Sequence, residues 1–148
     1  MIQIQLPNLR LLGLPSVGQG EDWLKKSQIL DQELEQLNYD LEGESVYLLF
    51  SRSPEDVLEQ GGQCLVARAV IGAQKEVPEP FILRDLESQM VWKADLKGTS
   101  VVEVLEEVEE AWTKASFKGK ILKEEFILRI RRRIAPTLEL SLEVIFLE

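Results

Sequence analysis

No histidine occurs anywhere in these 148 residues, and with it go Ser-His-Asp and Cys-His nucleophile pairs and most zinc sites. There is one cysteine, Cys64, so no internal disulfide can form, and the usage fits a reducing compartment. No Lys or Arg pattern around Cys64 suggests a stabilised thiolate, and an inert buried thiol is the simpler reading. Apolar runs stay short of the ~18–20 residues a membrane span requires. The stretch from Met1 to Gly13 alternates apolar residues without a basic leader or a small-residue cleavage site, which reads as a strand and not a signal peptide. The expectation is a soluble, cytoplasmic protein without a membrane partner. Phosphate loops are also missing, because Gly18 and Gly20 fit neither GxxxxGK[ST] nor GxGxxG.

Positive charge is scarce. Lys and Arg number 17 against 26 Asp and Glu, a net charge of −9, which argues against direct nucleic-acid binding, since phosphate recognition relies on Lys and Arg. The local exception, Arg129, Arg131, Arg132 and Arg133, reads most simply as a solvated strand end. Acid is concentrated in Glu103, Glu106, Glu107, Glu109 and Glu110, the outer face of a helix; this is a solubility device, and the surface any protein partner would meet. With 45% hydrophobic and 29% charged residues, the chain has globular composition, and its length suits one domain over residues 1–148.

What is present is a sequence written twice. Leu9 to Gly18 (LRLLGLPSVG), an amphipathic run from Glu21 to Leu37, and extended stretches Ser45 to Ser51 and Gln63 to Ile71 form the first half. Gln89 to Gly98 (QMVWKADLKG), a helical run from Val101 to Ala115, and extended stretches Glu125 to Arg131 and Leu138 to Leu147 form the second. The expected fold class is α+β: pseudo-twofold strand-helix-strand-strand modules, residues 9–71 and 89–147, making one curved antiparallel sheet with two helices on one face and a ligand groove on the other. In the second helix, Ser100 and Glu103 fit a capping box, and Val101, Leu105, Val108, Trp112 and Ala115 share one stripe. In the first, Trp23, Leu30, Leu34 and Leu37 do the same, interrupted by Ser27. Gly72 to Pro80 reads as the crossover between modules, and Ser51 to Gln63, with Pro54, Gly61 and Gly62, as a long hairpin connection.

LRLLGLPSVGQGEDWLKK, VYLLFSRSPEDV, GGQCLVARAVIG, QMVWKADLKGTSVVEVLEEVEEAW and the closing EEFILRI with LELSLEVIFLE together resemble the GyrI-like effector-binding domain, known from gyrase inhibitory proteins and from AraC- and MerR-type multidrug regulators. The resemblance covers nearly the whole chain and rests on the order and spacing of the five segments. It implies a cleft for bulky, lipophilic and often cationic small molecules; some relatives hydrolyse cyclopropane-containing compounds. The family's key glutamate, in the penultimate strand after an aromatic, falls here on Ile127 after Phe126. The tyrosine common two residues later is Arg129. In the last strand the family's glutamate is matched by Glu143, and the following tyrosine by Ile145.

Alternation places Phe126, Leu128 and Ile130 toward the helices and Ile127, Arg129 and Arg131 on the opposite face. In the last strand, Leu142, Val144 and Phe146 face the helices, with Glu143 and Ile145 toward the groove. Arg129 and Glu143 can pair across the hairpin, either as a plain sheet-face ion pair or as part of a binding site. Internal symmetry nominates Leu48 and Phe50, and the strand opening the second half adds Met90 and Trp92, for which core packing is the competing reading. The candidate ligand-binding set is therefore Leu48, Phe50, Met90, Trp92, Ile127, Arg129, Glu143 and Ile145. No catalytic residue, metal site or cofactor is assigned, and haem is disfavoured without an axial histidine. Arg129, with isoleucine at 127, leads to the expectation of neutral or anionic ligands.

The leading reading is a stand-alone binder of small lipophilic molecules, a sensor or sequestering module, without room for a DNA-binding domain. A second reading is a hydrolase of lipophilic electrophiles with Glu143 replacing the missing carboxylate. A third is a protein-binding, gyrase-inhibitor-like module.

Overall fold

A computed structural model describes residues 2–72, 77–98, 100–117, 125–134 and 139–147. In chain order the elements are β1 (Ile2–Leu6), β2 (Leu9–Ser16), α1 (Gly20–Gln36), β3 (Leu41–Phe50), α2 (Pro54–Gln60), β4 (Cys64–Val70), β5 (Ile82–Leu86), β6 (Gln89–Gly98), α3 (Val101–Phe117), β7 (Phe126–Ile134) and β8 (Glu139–Leu147). The class is α+β, as expected. The eight strands form one sheet in the order β1-β6-β8-β7-β3-β4-β2-β5, with every neighbouring pair antiparallel.

Three elements depart from expectation. The Ser51 to Gln63 stretch is not a simple hairpin connection, because it contains α2. The reason lies in its own residues: Ser53 caps the helix by accepting from the Asp56 N–H at 3.3 Å, Pro54 opens its first turn, and Gly61 closes it at φ 61°. Serine, proline and acid at successive positions form a helix-start signature. The opening run is two strands, β1 and β2, because Pro7 and Asn8 part them. Between the halves, β5 was not foreseen; residues 73–76 of the expected crossover lie outside the described residues.

Connectivity forces the sheet to curl. Leu6 and Leu9 are three Cα steps apart, at most ~11 Å. Yet β1 and β2 stand six inter-strand spacings apart in the sheet order, ~29 Å if the sheet were flat. The same holds for β5 and β6, joined through Glu87 and Ser88. Both edges must therefore approach each other, and side chains tie them: Gln5 Nε2 donates to Ser88 Oγ at 2.7 Å, and the Ser88 N–H donates to Asn8 Oδ1 at 2.6 Å.

All three helices pack on one face. Trp23, Leu24, Leu30 and Leu34 of α1, Val57 of α2, and Val104, Leu105 and Val108 of α3 meet Leu12, Leu14, Leu48, Phe50, Val66, Phe126 and Leu128 of the sheet. Trp23 meets Phe50 edge-on (5.1 Å, 72°), and Phe50 stacks on Phe126 (4.7 Å, 15°). The stripe read for α1 holds as far as Leu34, and Leu37 is exposed beyond the helix end. In α3 the Glu103 N–H donates to Ser100 Oγ at 3.2 Å, Trp112 packs partly buried against the core, and the side chains of Val101 and Ala115 lie outside the described residues.

A second cluster fills the face without helices. Leu6, Leu11, Tyr47, Leu49, Ala67, Ala69, Leu86, Val91, Ile127 and Ile145 are all buried there, drawn from both edges and the centre of the sheet. An apolar sheet face left open to water would expose these side chains; the curl of the sheet buries them against one another.

Candidate functional site

Strand register decides which residues share the uncovered face. In β7, Phe126, Leu128 and Ile130 join the helix-side core, and Ile127 joins the opposite cluster, in agreement with the alternation. Across the hairpin Ile127 pairs with Ile145 and Arg129 with Glu143. Ile127 and Ile145 are each 2% exposed. The side chains of Glu143, Leu142, Val144, Phe146, Arg132 and Arg133 lie outside the described residues.

Leu48 and Phe50 require correction. Leu48 pairs with Leu128 and Phe50 with Phe126, so both are on the helix side, buried in its core. Tyr47, opposite Arg129, and Leu49, opposite Ile127, are the β3 residues on the uncovered face. The symmetry assignment slipped by one residue, and with a side-chain period of two a slip of one exchanges the faces. Trp92 is corrected likewise: it packs on the helix-side core, and Val91 takes the uncovered face. Met90, two residues before Trp92 and on its side by alternation, is 40% exposed. Of the eight nominated residues, then, the structure brings Ile127, Arg129 and Ile145 together on the uncovered face, with Glu143 opposite Arg129 in backbone register.

One part of that face is ionic. Arg129 Nε donates to Ser45 Oγ at 2.9 Å, and its guanidinium stands 5.9 Å from the Tyr47 ring centroid. Arg131 Nη2 donates to Asp95 Oδ1 at 3.0 Å, and Lys93 Nζ lies 3.8 Å from the same oxygen. Arg129 is thus held by neighbours of its own sheet.

Toward the other end of β3, where β2, β4 and β5 run alongside, a cavity of about 390 Å³ is lined by Pro15, Leu49, Ser51, Arg52, Gln63, Cys64, Leu65, Ile82 and Arg84. A smaller space of about 10 Å³ shares Leu49 and Arg84 with it and reaches Ile127 and Glu125. Arg84 Nη2 lies 3.6 Å from Glu125 Oε2. Burial pushes the Cys64 thiol up to about 12, so it stays a neutral, poorly nucleophilic wall group. A broader depression of about 750 Å³ near the β5–β6 connection includes Leu9, Arg10, Glu42, Ile71, Asp85 and Glu87. There Arg10 Nε donates to Asp85 Oδ1 at 2.8 Å and Nη1 to the Gly72 carbonyl at 2.7 Å, and this pairing raises the arginine's pKa above its ordinary value. Among the described residues no group of three His, Cys, Asp or Glu side chains could hold a metal ion, and no helix is long and apolar enough to cross a membrane.

No sequence pattern marks Arg52, Arg84 or Glu125. Only the pairing of β2 with both β4 and β5 makes Arg84 a neighbour of Leu49 and Leu65, and no local pattern carries that information.

No protein-family model and no curated protein matches the chain. Solved structures do match. The C-terminal domain of EcmrR is similar over 98% of this chain and 94% of its own, with TM-score 0.77 and 13% identity. EcmrR in its DNA complex gives TM-score 0.81 at 12% identity over 98% of this chain, which spans only 55% of the EcmrR chain. SAV2435 bound to tetraphenylphosphonium gives TM-score 0.60 at 13% identity, covering 98% of this chain and 91% of that one. At such identities the likeness establishes the fold, which is the fold of GyrI-like effector-binding domains.

Proposed function

We propose that the chain is a small-molecule-binding module, a single effector-binding-type domain over residues 1–148 that takes a lipophilic ligand on the sheet face the helices leave uncovered, in a cytoplasmic sensing or sequestering role. The observation that carries this reading is the cavity of about 390 Å³ with Pro15, Leu49, Leu65 and Ile82 among its walls, a size within the roughly 300–1,000 Å³ of small-molecule sites. The fold shared with SAV2435, a protein seen with a lipophilic ion bound, supports it further.

An internal repeat, residues 9–71 against 89–147, belongs to the proposal. It is supported by the sheet order, which reads β7-β8-β6-β1 outward to one edge and β3-β4-β2-β5 outward to the other, with the β3–β7 pair Leu48 and Leu128 at the centre. The hydrolase reading is weaker, because Ile127 puts hydrocarbon where the resemblance implies a carboxylate, and isoleucine can neither take nor give a proton.

A thermal-shift panel of lipophilic cations, anions and neutral aromatics tests the reading. A ligand held only by the native state at a hundredfold excess over Kd adds about 2.7 kcal/mol of stability, a rise of roughly 5–11 °C in Tm for a chain of this size. No shift with any of the three charge classes would favour a protein-binding role instead.

A further inference from the structure

We propose that the cavity among β2, β3, β4 and β5 is a site for an amphiphilic organic anion, an aromatic or aliphatic carboxylate or sulfonate. This rests on the small-molecule-binding reading above and adds the ligand's charge and its anchors.

The walls and the rim make different demands on an occupant. Pro15, Leu49 and Leu65 come from three adjacent strands, and Ile82 of β5 is 45% exposed beside them. An apolar body seated there would remove that hydrocarbon from water. Among the described residues the charged groups lining the cavity are Arg52 and Arg84, with no Asp or Glu; burial pushes the Cys64 thiol up to about 12 and keeps it neutral. In a chain of net charge −9, the lining is therefore locally of opposite sign. Ser51 and Gln63 add hydrogen-bonding groups to the same lining.

Neither guanidinium is fully used by the protein. Arg52 Nη2 donates to the Gly61 carbonyl, and no carboxylate among the described residues pairs with Arg52; one such bond leaves most of a guanidinium's five donors for other partners. Arg84 meets Glu125 at 3.6 Å, with the two side chains 38% and 39% exposed. That distance is well beyond the 2.7–2.9 Å of a tight charge-assisted hydrogen bond. Glu125 is then a resident carboxylate that a ligand carboxylate can displace from Arg84, taking the planar fork in two-point fashion. A lipophilic cation would instead meet two like charges in the same apolar cavity, which costs affinity. The preference is opposite in sign to the ion bound by SAV2435.

Three matched probes decide this: naphthoate, naphthylmethylammonium and naphthylmethanol, titrated calorimetrically into wild type and into Arg52→Met, Arg84→Met, Arg84→Lys, Glu125→Gln and the distant control Arg10→Met, with each variant's fold checked by its melting transition. Wild type should bind naphthoate at least tenfold more tightly than the ammonium probe. Arg52→Met and Arg84→Met should each weaken naphthoate fivefold or more and leave naphthylmethanol within twofold. Arg84→Lys should retain part of the affinity, Glu125→Gln should strengthen naphthoate, and Arg10→Met should change nothing. Equal or tighter binding of the ammonium probe, or naphthoate affinity indifferent to both Met variants, overturns the inference while leaving small-molecule binding in place. Absence of binding by all three probes overturns both.

Discussion

Ile127→Glu is expected to be strongly destabilised at neutral pH and to regain stability in acid. Ile127 is 2% exposed and sits in register between Leu49 of β3 and Ile145 of β8, within the apolar cluster of the uncovered face, and the small space beside it is bordered by Arg84 and Glu125. A carboxylate placed there loses its hydration, and Arg84, the cation bordering the same small space, already faces Glu125, so desolvation outweighs attraction and the folded-state pKa rises above the ~4.3 of an unfolded glutamate. With the folded pKa raised, the folded chain binds the proton more tightly than the unfolded one. Stability relative to Ile127→Gln is therefore full below pH ~4.3 and falls as pH climbs through the raised value. A rise of two to three units corresponds to about 3–4 kcal/mol by neutral pH. Urea midpoints of the Glu and Gln variants, compared from pH 4 to pH 8, measure the difference. Parallel curves would mean that position 127 is open to water, and the uncovered face would then be a groove of another shape.

The second large effect belongs to the helix-side core. Phe126→Ala removes a fully buried ring that stacks on Phe50, itself edge-on to Trp23. This chain of three rings joins β7, β3 and α1. Loss of the ring and the cavity left behind should cost about 3–5 kcal/mol. Met90→Ala, at a side chain 40% exposed, should stay within about 0.5 kcal/mol of wild type. Chemical denaturation of both variants gives the comparison. A cost below about 1 kcal/mol for Phe126→Ala would contradict the packing of α1 on the centre of the sheet.

The elements that could be read from sequence are those whose periodicity is local. The stripe of Trp23, Leu30 and Leu34, the Ser100 cap and the alternation of Phe126, Leu128 and Ile130 are set by neighbours within a few residues, and they are found where the pattern puts them. The helix α2 is also written locally, in Ser53, Pro54 and Gly61, but the same residue types favour turns, so they do not separate a short helix from a long connection. Register was not legible. Whether Leu48 or Leu49 stands opposite Ile127 depends on which hydrogen bonds form between strands far apart in sequence, and both residues are leucine, so composition cannot choose. The cavity was out of reach for a related reason: Arg52, Arg84 and Glu125 come from three separate segments that only the curl of the sheet brings together. Arg129, which the sequence did mark, is engaged by Ser45 and Tyr47, and the arginines that line the open space are two others.

Methyl-resolved NMR of Ile, Leu and Val side chains, recorded during titration with whichever naphthalene probe binds most tightly, tests the central claim that the ligand occupies the uncovered face. The methyls of Leu49, Leu65 and Ile82 should shift in a saturable way, with a smaller response at Ile127, whereas those of Leu30, Leu34 and Leu128 in the helix-side core should stay in place. Saturable shifts confined to the helix-side core or to the outer surface of α3 would contradict the claim.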